Sequence, residues 1–173
     1  MHDDAIPAQH LLGVSAGPFE LSGQVALAAL CLDFVSQTRR SLDIVSRHLD
    51  PLLYDNEAFA AAVKQLALSH RSARIRLFIL DPQPLVSRHH RLIDVAERLP
   101  GFVEIRTPAP QYKNFNEALL IADNIGYVSR PFSDRFEAEA DYCGRRRAMA
   151  LGERLDEMWE RGLPDPNFRR LHL

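Results

Sequence analysis

The stretch 74–80, Arg-Ile-Arg-Leu-Phe-Ile-Leu, limits the possible folds more than any other segment. Ile75, Leu77 and Ile79 form one alternate set; Arg76, Phe78 and Leu80 form the other. Both sets carry apolar side chains. The strand they make is therefore buried on two faces, as a central strand of a layered sheet is. Asp81-Pro82 closes it.

Segments on either side extend the pattern. Residues 42–46 and 102–106 read as further strands. Between the first two strands, Phe59, Val63, Leu66 and Ala67 fall on one face of a helix that Asp55 or Asn56 caps and that runs through Ser69. Leu92, Val95, Ala96 and Leu99 mark the next helix, stopped by Pro100-Gly101. An earlier helix over 24–38 turns Val25, Ala28, Ala29, Leu32 and Val35 to one side. Residues 116–123 and 126–130 predict a hairpin joined tightly at Asn124 and Ile125, followed by a strand over 136–142. A closing helix to about Arg161 carries Ala148, Leu151, Leu155, Met158 and Trp159 as its stripe. This order predicts an α/β fold, a mixed β-sheet flanked by helices on both faces. Residues 1–40 read as an N-terminal arm and helix packing on the domain, irregular to about residue 20, and 41–173 as the domain itself.

The chain has 173 residues and a net charge of −2, so no global field would hold nucleic acid or an acidic membrane. Local basic patches remain open. Nearly all the cations are arginine; Lys64 and Lys113 are the two lysines. Cys31 and Cys143 stand far apart and form no ligand pair, which suits free thiols in a reducing cytoplasm and no structural zinc. Nothing in the sequence asks for a cofactor. The acidic start Met-His-Asp-Asp does not read as a signal peptide, and the apolar stretch 25–35 is too short for a bilayer and contains Asp33.

Residues 116–123, Asn-Glu-Ala-Leu-Leu-Ile-Ala-Asp, carry a resemblance. With the order of elements from Leu42 to Trp159, they are similar to one half of a phospholipase D-type protein, whose motif is His-x-Lys-x4-Asp before a hairpin and a Gly-Ser step. Asp123 stands at the Asp position, Asn116 at the His, Ala118 at the Lys, and Ser129 and Arg130 at the Gly-Ser step. The chain also resembles an uncharacterised bacterial domain family sometimes fused behind an acetyltransferase. The stretches 49–55 and 165–171 carry that likeness.

The phospholipase D resemblance implies a paired reaction in which one His attacks phosphorus, another protonates the leaving oxygen, Lys side chains neutralise the phosphoryl oxygens and the Asp orients its His. An amide at Asn116 is no base and Ala118 brings no charge, so that chemistry is expected to be lost. What remains is a relic cleft for a phosphate-bearing ligand or nucleic acid. Asn116, Asp123, Arg130, Lys113 and His48 are its candidate binding residues, and none is assigned a catalytic role. The alternatives are an interaction scaffold, with a homodimer or an acetyltransferase as partner, and a phosphodiesterase rebuilt on His48 or His89. The run Arg145-Arg146-Arg147 opens the closing helix, where cations oppose the macrodipole, and reads as a solvated face or a phosphate contact. Glu139 and Asp141 are placed to offset it.

Overall fold

A computed structural model describes residues 10–168. The start of the arm and the end of the tail, residues 169–171 of the second resemblance included, lie outside the described residues. Seven strands form one sheet: β1 (Phe19–Ser22), β2 (Ser41–Ser46), β3 (Arg74–Ile79), β4 (Val103–Arg106), β5 (Ala118–Ala122), β6 (Gly126–Arg130) and β7 (Glu137–Asp141). Their order is β1-β7-β6-β5-β2-β3-β4. β2, β3 and β4 run parallel; every other pairing is antiparallel. The helices are α1 (Gln24–Gln37), α2 (Pro51–Tyr54), α3 (Glu57–Ser69), α4 (Gln83–Val86), α5 (Arg91–Arg98) and α6 (Arg145–Glu160). The expected mixed sheet with helices on both faces is what forms.

β3 lies between β2 and β4, and its residues from Ile75 to Ile79 are all buried. Ile75, Leu77 and Ile79 join Leu42 and Ile44 in the core beneath α1, α2, α3 and α5. Phe78 and Val45 point to the opposite face, where Ala148, Leu151, Leu155, Met158 and Trp159 of α6 cover them. Arg76 reaches that second face as an ion. It meets Asp43 at 2.7 Å and Asp156 of α6 at 2.8 Å, and its guanidinium lies 5.3 Å from the Trp159 ring. Asp43 is 1% exposed, and a buried carboxylate is tolerable there because a guanidinium faces it. Arg106 stacks on Trp159 at 4.7 Å and donates to its carbonyl at 2.8 Å, which fixes the end of α6 against β4.

Two expectations need correction. The segment 1–20 is not irregular throughout, because β1 pairs with β7 at the sheet edge. Four residues with only Leu21 buried give too weak an alternation to see. In α1 the buried residues are Leu27, Leu30, Cys31, Phe34 and Val35, while Val25 is 85% exposed. This helix is apolar around most of its girth, so periodicity did not choose its face; docking onto the sheet did. The cap of α3 is Asn56, whose Oδ1 accepts the Phe59 N–H at 2.8 Å. Among the described residues no helix is long and apolar enough to cross a membrane.

Candidate functional site

The register sets which residues meet at each end of the sheet. Val45 of β2 pairs with Leu119 of β5, and Ala118 pairs with Arg130 of β6. The C-terminal end of β2, the start of β5 and the end of β6 therefore share one edge. Ligands of open α/β sheets bind outside the carboxyl ends of their parallel strands. Leu42 pairs with Ala122 at the other end, so Asn116 and Asp123 are separated by the whole length of β5.

At the first end, Arg47 follows β2 directly. Its Nη2 donates to Asn116 Oδ1 at 2.8 Å and its Nε to Ser133 Oγ at 3.3 Å. Ser133 Oγ donates to the same amide oxygen at 2.5 Å, and the Ser133 N–H donates to the Asn116 carbonyl at 2.8 Å. Two donors converging on one oxygen fix the orientation of the amide. Among the described residues, Asn116 Nδ2 and Arg47 Nη1 have no hydrogen-bond partner. Both residues are partly exposed. Where the resemblance places a base and a lysine, the chain thus has an amide, a buried alanine and a guanidinium from the neighbouring strand.

Arg130 lies deeper and is 2% exposed. Its Nη1 meets Asp50 at 2.7 Å, its Nη2 donates to the Ser133 carbonyl at 2.8 Å and its Nε to the Arg135 carbonyl at 3.0 Å. Phe136 covers its face at 5.2 Å. All its nitrogens are engaged, so its work is to hold the loop after β6 rather than to meet solvent. Buried Cys31 and Tyr54 lie near this pair. Burial, tempered by the Arg130 charge, pushes the Cys31 thiol up to about 12, and burial with the nearby thiol pushes the Tyr54 hydroxyl well up.

His48 is partly exposed at the same edge, its Nδ1 3.0 Å from the Asp81 carbonyl and 3.8 Å from the Asp81 carboxylate. Lys113 is exposed after the 3-10 turn Pro110–Tyr112, and no hydrogen bond joins it to the cluster. Asp123 belongs to the far end. Its carboxylate accepts the N–H groups of Arg39, Arg40 and Ser41 at 2.9, 2.8 and 3.0 Å. Asp123 and Asn124 have φ of 55° and 56° in a turn closed by Ile125 N–H to the Ala122 carbonyl at 3.0 Å. Asp and Asn tolerate that left-handed backbone. The structure therefore brings Asn116, Arg130 and His48 to one edge and leaves Asp123 at the other.

Arg47, Asp50 and Ser133 escaped the sequence reading. The usable signal was position: Arg47 and Asp50 directly follow a parallel strand, where such sheets build their sites. Among the described residues no group of three or more His, Cys, Asp or Glu side chains is placed to hold a metal ion.

The fold is similar to that of Nuc from Salmonella typhimurium, a phospholipase D family member, with a TM-score of 0.60 at 15% identity over 86% of this chain and 99% of that one. NucT from Helicobacter pylori gives 0.63 at 12% identity, over 86% and 99%. TrmBL2, an archaeal chromatin protein described with a novel mode of DNA binding, gives 0.60 at 16% identity, over 87% of this chain and 54% of that one. No curated protein matches. A phospholipase D-like fold is thereby shown. A family model matches residues 23–171, and the chain belongs to that family, described as Domain of unknown function (DUF7931).

Proposed function

We propose that this is a non-catalytic phospholipase D-like domain that binds a phosphate-bearing ligand, nucleic acid included, at the edge formed by Arg47 and Asn116. The observation that carries the reading is the Asn116 amide, held by Arg47 and Ser133 with its oxygen turned to those donors. That arrangement offers Asn116 Nδ2 and Arg47 Nη1 to an oxyanion, and the amide offers no base to a reaction. Lys113 and His48 flank the site as further contacts, Arg130 keeps its frame, and Asp123 anchors the far end of the same strands. Free Cys31 and Cys143 suit a reducing cytoplasm.

A thermal-shift panel with inorganic phosphate, nucleotides and short single-stranded oligonucleotides tests this. A ligand at about 100 times its dissociation constant adds roughly 2.7 kcal/mol of stability. The shift is expected to vanish in Arg47→Ala. A flat panel, or a shift that survives Arg47→Ala, defeats the reading, as does turnover of an activated phosphodiester.

One feature favours a scaffold role as the second reading. Phe132 is 49% exposed beside Ser133, with Arg135 stacked on it at 4.8 Å. An apolar ring beside the edge suits a homodimer closed across that edge, or a protein partner such as an acetyltransferase. Sedimentation at tens of micromolar, compared with Phe132→Ala, decides between dimer and monomer.

A further inference from the structure

The far end of the sheet carries cations of its own. Arg39 and Arg40 precede β2, and Arg145 and Arg146 open α6; all four are exposed. Among the described residues their side chains make no hydrogen bond or ion pair. Arg39 and Arg145, from segments more than a hundred residues apart, line one hollow of about 730 Å³. The acidic side chain in its wall is Asp123, whose carboxylate accepts three backbone N–H groups. Arg39 also borders a second hollow of about 350 Å³ lined by Ser36, Gln65, Ser69 and His70. Arg39 thus belongs to the walls of both hollows, where the Ser36, Thr38 and Ser69 hydroxyls donate to backbone carbonyls and leave the guanidinium as a free donor. The carboxylates expected to balance the start of α6 are occupied: Glu139 accepts from the Tyr127 hydroxyl and Asp141 from the Gly17 and Cys143 N–H groups.

We infer that this end is a second anion-binding surface, separate from the Arg47 edge, which takes the phosphate backbone of duplex nucleic acid. Guanidinium forks, with the Gln65 amide beside them, are groups that contact phosphate and sugar without reading bases. Neither hollow is lined by Phe, Tyr or Trp, so no platform is offered for the stacked bases of a single strand. Leu11 and Val14 stand exposed in the wall of the larger hollow, so the anion contact there rests on the arginines. With the whole chain at −2, binding here is local and sensitive to salt.

The test is fluorescence anisotropy of a labelled duplex of about 20 base pairs across a salt series, with the full chain and with the double variant Arg145→Glu/Arg146→Glu. Binding at low salt is expected to weaken at least about tenfold in the variant, and the salt slope to fall by about one per arginine removed. The same variant places acids in the first turn of α6 and should melt at a higher temperature, so loss of binding cannot be put down to unfolding. Arg39→Gln should weaken binding as a single step, and Arg47→Ala should leave it unchanged. Wild-type affinity in the double variant, or no duplex binding at low salt, overturns the inference. Loss of duplex binding in Arg47→Ala alone overturns it too, because the nucleic acid would then lie at the edge of the proposed function. Capture by phosphatidylserine vesicles without duplex binding would assign the surface to membrane instead.

Discussion

Arg130 and Asp50 form an ion pair at 2.7 Å in which the guanidinium is almost wholly buried and every one of its nitrogens is bound. Removing Asp50 leaves the Arg130 charge buried without its carboxylate, which typically costs about 3–5 kcal/mol, and removing Arg130 takes three hydrogen bonds from the loop after β6. Arg130→Ala and Asp50→Ala are therefore expected to lower the urea midpoint sharply, and Arg130→Ala is a poor probe of ligand binding. A change below about 1 kcal/mol would show that the pair is solvated.

The Asp123 turn makes a second prediction. Asp123→Ala strips three backbone N–H groups of their acceptor and puts alanine at a positive φ, for a loss of about 1–3 kcal/mol. Asp123→Asn keeps the tolerance for that backbone and should cost less. Both are read by chemical denaturation, and an unchanged midpoint in Asp123→Ala would deny the clamp.

Gly126, just after that turn, has no room for a side chain. A Cβ there would lie 2.6 Å from Leu12, 2.9 Å from Phe34 and 3.0 Å from the Asp141 carbonyl. Gly126→Ala should destabilise by about 1–3 kcal/mol through overpacking. A neutral result by calorimetry would mean that Leu12 moves aside freely.

His90 ties stability to pH. It is 3% exposed, its Nε2 lies 3.0 Å from the Leu49 carbonyl, and its Nδ1 accepts the Leu92 N–H that opens α5. That cap requires the neutral ring. Burial lowers its pKa below the ordinary 6.5. The unfolded chain therefore takes up the proton first, and this contribution is full above about pH 6.5 and is lost as pH falls through the lower folded value. Urea midpoints at about pH 7.5 and about pH 5.5 should differ more in wild type than in His90→Asn, which caps without titrating. Equal differences would remove His90 from the acid response.

Cys31 should be inert in the native state. Its thiol is buried and raised from 9.0 to about 12, whereas Cys143 is partly exposed. A thiol reagent is expected to titrate one cysteine in buffer and two in urea. Because the folded value is the higher one, the linked stability is full below about 9 and declines as pH rises toward about 12. Rapid labelling of both thiols without denaturant would contradict the burial.

The regular parts of this fold were legible because local pattern and tertiary burial agree. The alternation at 74–80, the Asn56 cap and the α6 stripe each need only a few consecutive residues to declare themselves. What was illegible depends on pairing between distant segments. Arg47 reaches Asn116 only because β2 and β5 are hydrogen-bonded neighbours in one register, 69 positions apart in sequence. Ser133 reaches the same amide because the loop after β6 folds back. The face of α1 was unreadable for the opposite reason, since apolar residues on most sides left no contrast to follow.

The distance between Asn116 and Asp123 alters how a three-residue signature should be counted on this fold. Position 123 fastens the start of one strand to a hairpin, so its aspartate reports that the chain can fold. Positions 116 and 118 stand at the opposite margin and are free to change without loosening that fastening. A sequence that keeps the aspartate alone has preserved its joinery, and a matching aspartate adds nothing to the odds that a related chain still turns over substrate.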